Sequence, residues 1–249
     1  MSAVSQAFRA ERIKLTTLRS LWVTPLLSVL LTVGATTAVG AALGDKDRNI
    51  TDDPGVGIFY GLNFGQVAMV AFGVLLIGQE FNTRMIGTSL TAVPRRGRLY
   101  GAKLALGAGL GLLVGLASTA GCFLTVDATV GLDFSTPGLA RSFLAGVLYH
   151  PMMVLICLGL TAMLGNFSVA LGLLTPMVFL GTTWLAAIPG VREVGQFLPD
   201  RAGLYAMRTQ TEAGIHYGHW TGLLIMALWT AAAVFGGLRA MRRYQASGG

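Results

Sequence analysis

Residues 55–79, GVGIFYGLNFGQVAMVAFGVLLIGQ, and residues 104–126, LALGAGLGLLVGLASTAGCFLTV, contain no Asp, Glu, Lys or Arg, and EFNTRMIGTSLTAVPRRGRLYGAK, residues 80–103, joins them as a polar, basic stretch. An α-helix rises about 1.5 Å per residue, so some 20 residues cover the roughly 30 Å hydrocarbon core of a bilayer. Each flanking run is long enough to cross a membrane, and the stretch between them lies at one membrane surface. Outward from this centre the same pattern recurs. Residues 21–44 are uncharged, as are residues 142–191, which are twice too long for one helix and carry a turn signal at Gly165-Asn166-Phe167-Ser168. A last run ends at Arg239, Arg242 and Arg243. The expectation is an all-α integral membrane protein of one domain, with six transmembrane helices at about 21–44, 55–79, 104–126, 142–164, 169–188 and 219–238.

Six spans put both termini on one side, and the distribution of Lys and Arg selects which. The side holding the termini and residues 80–103 has twelve basic residues and two acids, a net +10; the other has six basic residues and nine acids, a net −3. That assigns the termini to the cytoplasm and accounts for the chain's formal net charge of +7 without a nucleic-acid-binding domain. The first apolar run is longer than the core of a signal peptide and is read as a retained span. Cys122 and Cys157 both fall within spans and read as small buried residues rather than a disulfide framework.

Ahead of the first span, Val4, Phe8, Leu15 and Leu18 recur at helical spacing with Arg9, Arg12, Lys14 and Arg19 on other faces, the pattern of a helix over residues 3–19 lying in the interface. Glu11 interrupts its apolar stripe, either solvated at the edge or paired with a basic residue. Gly57, Gly61 and Gly65 fall every four residues in the second span, as do Gly107, Gly111 and Gly115 in the third. In lipid, helices associate by close approach over small residues, so both sets are expected at helix contacts.

Several kinds of chemistry are excluded by what is missing. No G-x-x-x-x-G-K-[ST] loop is present, and Gly107-Ala-Gly109-Leu-Gly111 follows no strand, so the chain carries no nucleotide-binding motif of its own. His150, His216 and His219 are too scattered for a metal pattern, and neither cysteine comes with a nucleophile motif. Spans nearly free of ionisable groups argue against proton or sodium coupling. The polar exceptions are His150, followed by a helix-kinking Pro151, and Asn63 and Gln66, which serve either as interhelical hydrogen-bonding groups or as the lining of a pathway.

Within residues 80–103, Met85, Ile86, Leu90 and Val93 have amphipathic spacing ahead of Pro94, consistent with a short surface helix flanked by Arg84, Arg95, Arg96 and Arg98. Such a helix could seat its apolar face in a groove of a cytosolic protein, or its arginines could bind anionic headgroups.

The chain as a whole resembles the permease subunits of ABC-2 type ABC transporters, in particular compact actinobacterial ones associated with drug or antibiotic export. AERIKLTTLRSLW at residues 10–22 is similar to the family's E-x-x-K-L-x-x-L-R-S entry helix, and GQEFNTRMIGTSLTAVPRRGRLYGAKL at residues 78–104 to its G-E-[YF]-x-x-G-x-[IL]-x-x-[ST]-L-x-x-x-P-x-R segment. Glu80, Phe81, Pro94 and Arg96 match that pattern, Lys103 matches the lysine opening the next span, and Arg84 stands where the family often has glycine. The resemblance implies a type V exporter-like transmembrane domain that pairs with a second permease chain, identical or paralogous. It implies docking on two copies of a P-loop ATPase through Glu80, Phe81, Arg84, Met85, Ile86, Leu90, Pro94, Arg95 and Arg96, with Glu11, Lys14 and Arg19 in the entry helix. ATP and Mg would belong to that partner, this chain binding no cofactor and catalysing no reaction itself. It also implies a cavity lined by the second and fifth spans, with Phe59, Asn63, Gln66 and Met69 facing Thr175, Phe179 and Trp184, and an outer lid at residues 189–218 long enough for short helices dipping in. So apolar a cavity suits a hydrophobic or amphipathic cargo.

Overall fold

Backbone polar groups at membrane depth must be satisfied inside the protein, which favours helices. The computed structural model describes residues 19–43, 53–82, 96–181 and 191–243, and among them are helices and no strand. The helices are α1 Arg19–Leu43, α2 Pro54–Ile58, α3 Leu62–Asn82, α4 Arg96–Thr129, α5 Leu139–Leu164, α6 Phe167–Pro176, α7 Val191–Gly195, α8 Pro199–Met207 and α9 His219–Arg243. Five of them, α1, α3, α4, α5 and α9, are long and apolar enough to cross a membrane. The segment expected as a further span is seen as α6 followed by a π-helical turn, Met177–Gly181, beyond which residues 182–190 are not described. The expected interfacial helix also lies outside the described residues, apart from Arg19, which opens α1.

The expected second span is not one helix. Asp53 caps α2 by accepting the Gly55 N–H at 2.9 Å, Pro54 begins the helix, and the chain turns at Phe59–Gly61 before α3 starts. Three glycines within seven residues weaken helix propagation here. The backbone groups freed by the break go to α1: Thr36 Oγ1 donates to the Ile58 carbonyl at 3.3 Å and accepts the Gly61 N–H at 3.1 Å. Gly57 therefore sits on a different helix from Gly65, and the three glycines do not make one stripe. Gly61 and Gly65 do meet α1, where Ser28, Thr32 and Thr36 form a buried row; a Cβ on Gly65 would stand 2.6 Å from the Ser28 carbonyl oxygen.

Helix α4 runs 34 residues, well beyond the expected 104–126 at both ends. Three of its glycines face α5, with Gly115 on the Val147 backbone, a Gly111 Cβ 2.7 Å from Pro151 Cα, and a Gly107 Cβ 3.1 Å from Val154 Cγ1. Gly165, in the left-handed region at φ 62°, ends α5, and Asn166 starts α6 by accepting the Val169 N–H at 3.1 Å. Against the other side of α5 lies α9, with Gly159 on Ala233, and from α4 the Tyr100 hydroxyl donates to the Val234 carbonyl of α9 at 3.3 Å. Helix α5 is thus wrapped by α4, α9 and α3.

Between α5 and α9 lies the short α8. Its last residues Ala206 and Met207, with Arg208 just beyond, meet Arg141 and Ser142, whereas Gly203 meets the ring of Tyr149, about 12 Å farther along α5.

Glycine packing of this closeness makes a position-specific prediction. Gly111→Leu should destabilise the protein by about 1–3 kcal/mol through overpacking against Pro151, whereas Gly109→Leu, whose Cβ meets nothing within 4 Å, should be near neutral. Denaturant titration of the two variants in detergent micelles measures the difference.

Candidate functional site

The polar stretch that organises the sequence is rooted in a buried ion pair. Glu80, in the last turn of α3, and Lys103, in the second turn of α4, have side chains only 8% and 2% exposed, with Lys103 Nζ 2.8 Å from Glu80 Oε1. The same ammonium donates to the Leu76 carbonyl at 2.8 Å. Removing two charges from water costs several kcal/mol each, an amount that only good geometry and added hydrogen bonds offset. Here both are present, and the Lys103 charge also meets the negative end of α3. Phe81 is half-buried and packs against the inner core cluster of Met69, Phe72, Leu76, Ile77, Tyr100 and Leu158.

Glu80, expected on the partner-facing surface, is therefore turned into the chain, where it ties the two roots of residues 80–103 together. Arg84, Met85, Ile86, Leu90, Pro94 and Arg95 lie outside the described residues, as do Glu11, Lys14 and Trp184; Arg96 is the first residue of α4. The sequence has one signal for the pairing, an acid and a lysine closing two uncharged runs at the same membrane surface.

On its flank, α3 forms the floor of an apolar groove of about 580 Å³ walled by α1 and by α6 with its π turn. Thr24, Leu27 and Leu31 line one wall, Phe64, Val67, Ala68 and Ala71 the floor, and Thr175, Pro176 and Phe179 the other wall. A second hollow of about 520 Å³ shares Val67, Ala71, Thr175 and Pro176 and continues along Phe167, Ser168, Leu171 and Gly172. Hydroxyls of Thr24, Ser168 and Thr175 are the polar side-chain groups of this lining. Phe64 and Phe179 face each other with ring centroids 6.3 Å apart. Pro176 and the widened turn after it bend the wall that carries Phe179.

Thr175 and Phe179 thus lie in the groove, but the expected face of α3 does not. Phe59 is in the core, edge-on to Phe123 at 6.1 Å, Met69 is fully buried, and Gln66 is buried with its Oε1 accepting from the Tyr149 hydroxyl at 2.5 Å. Asn63 is exposed and donates to the Tyr60 carbonyl at 3.0 Å. The groove uses Phe64, Val67, Ala68 and Ala71, rotated about 100° from the Asn63–Gln66 face. A helix apolar on every side carries no moment that could have distinguished the two faces. His150 is buried beside Tyr149, with ring centroids 6.0 Å apart, and does not line the groove.

At the end of the bundle opposite Glu80 and Lys103, a polar network seats α8 and the segment that follows it. Asp53 Oδ1 accepts from Thr209 N at 2.9 Å and Thr209 Oγ1 at 2.5 Å, besides the Gly55 amide. Arg141 donates to the carbonyls of Ala206 and, at 2.6 Å, Arg208, and Ser142 to that of Met207. Glu212 bridges Arg201 at 2.6 Å and Arg208 at 2.9 Å. Tyr217 donates to the Gln196 carbonyl at 2.5 Å, and burial pushes its phenol up to about 12.

No protein-family model matches the chain, and no curated protein matches its sequence. Among the described residues no group of three His, Cys, Asp or Glu could hold a metal ion.

Two outcomes follow. Glu80→Leu or Lys103→Met alone should cost about 3–5 kcal/mol by leaving a buried charge uncompensated, and the double variant should cost clearly less than the sum; unfolding titrations of the four proteins measure the coupling. Tyr217 favours its neutral form in the folded protein, so its contribution is complete below pH about 10 and is lost as pH rises toward 12. Subtracting the ultraviolet phenolate titration of Tyr217→Phe from that of the wild type should isolate a group ionising near 12 rather than 10.

Proposed function

We propose that this chain is the membrane-spanning permease subunit of an ABC-2 type ABC transporter, a six-span domain in a bacterial plasma membrane with both termini cytoplasmic. It pairs with a second permease chain, identical or paralogous, and is driven by two copies of a separate P-loop ATPase that holds ATP and Mg. The cargo is a hydrophobic or amphipathic compound, exported by alternating access. This chain contributes no covalent chemistry of its own.

The observation that carries the reading is residues 78–104, whose motif resembles the family's coupling segment and whose roots are joined by Glu80 and Lys103 at 2.8 Å. Because the pair ties the end of α3 to the start of α4, a push on the segment by closing ATPases moves both helices together. Helix α3 is also the floor of the groove, so its displacement against α1 and α6 changes the groove's width. An apolar lining with hydroxyls and no fixed charge suits a cargo of low polarity.

Co-purification with an ATPase encoded beside this chain, in nanodiscs, tests the reading. The wild type should hold the ATPase, and Met85→Asp with Leu90→Asp should lose it while eluting as a folded protein. Binding of no ATPase by the wild type, or equal binding by the variant, would reassign the segment to lipid contact and favour an ATPase-independent carrier or scaffold. A membrane-embedded lipid-modifying enzyme would instead turn over lipid without any partner.

A further inference from the structure

We infer that the junction between the start of α4 and the end of α9 is a binding site for an anionic phospholipid, its phosphate held among arginines and one acyl chain laid along a bare strip of α4. Helix α9 ends with Arg239, Arg242 and Arg243, all exposed and none in an ion pair among the described residues. Arg239 lies over the exposed ring of Phe235, its guanidinium carbon 5.6 Å from the centroid. Helix α4 begins at Arg96, with Arg98 two residues on. The two ends are packed together: a Cβ on Gly97 would lie 4.0 Å from Leu238 Cδ1, and Gly237 rests on the Tyr100 side chain.

Three exposed arginines are thus gathered at the end of α9, beside the first turn of α4, where an anion would offset their mutual repulsion. Among the described residues the acid at this end is Glu80, which is bonded to Lys103, while Asp53, Asp133, Glu193 and Glu212 lie toward the opposite end. Shape then selects the kind of anion. Gly97, Gly101 and Ala105 fall every four residues on α4 and are all exposed, and a Cβ on Gly101 would meet nothing within 4 Å. Bordered by Leu238, this strip leads from the arginines toward the middle of the bundle and leaves room for a methylene chain. A soluble phosphate would use the charges and leave the strip uncovered; a membrane phospholipid uses both. The inference rests on charge and shape and is independent of the transport reading.

Native mass spectrometry of the protein extracted from nanodiscs of mixed phosphatidylcholine and phosphatidylglycerol tests it. The wild type should retain phosphatidylglycerol about tenfold over phosphatidylcholine, and Arg242→Gln with Arg243→Gln should remove most of that preference. The matching pair of Lys substitutions should keep it, and Gly101→Leu should lower retention with the charge intact. Both arginines are exposed at a helix end, and thermal midpoints of the variants confirm that each is folded. Equal retention of the two lipids by the wild type, an unchanged preference in the Gln variant, or full displacement of phosphatidylglycerol by inorganic phosphate at equal concentration would overturn the assignment.

Discussion

Close approach of backbones is the interaction on which the structure depends. In lipid, apolar side chains gain nothing from leaving water, so helices hold together by dispersion contacts and interhelical hydrogen bonds at short range. This chain achieves that range with glycine: Gly61 and Gly65 on α1, Gly111 and Gly115 on α5, Gly159 on α9, and Gly203 and Gly222 seating α8. Apart from Gly203, which meets the side chains of Tyr149 and Met226, each of these glycines comes against backbone of the neighbouring helix. The flank of α3 that lines the groove is less tightly walled.

That flank and the Glu80–Lys103 pair form one mechanical unit. The pair sits at one end of α3 and the groove runs along its side, so events at the membrane surface and events in the groove are connected through a single helix. The opposite end is held differently. Asp53 accepts from the Thr209 amide and hydroxyl and Arg141 donates to the Ala206 and Arg208 carbonyls, giving a directional attachment at the C-terminal end of α8.

Five of the six expected spans were legible because absence of charge over some twenty residues is a composition signal that tertiary structure does not alter. The turn at Gly165-Asn166 was legible for a local reason, the left-handed glycine and the Asx cap. The break at Phe59–Gly61 was not, because its compensation lies in Thr36, 25 residues earlier than Gly61, and only the folded contact shows that the freed backbone groups find a partner. The orientation of α3 was hidden for another reason: Phe64 and Met69 are equally apolar, yet one lines a groove and the other has no exposure at all. Glu80 and Lys103 were both singled out, but separation along the chain concealed that they satisfy one another.

The seating of α8 also bears on the order of assembly during synthesis. Gly203 rests on Tyr149 from α5 and on Met226 from α9, and Trp229 of α9 donates to the Phe197 carbonyl at 2.9 Å. Half of the seat of α8 therefore does not exist when α8 itself emerges from the ribosome. Residues 191–207 complete their packing only after α9 has been made, which makes their docking a late step in assembly of the bundle.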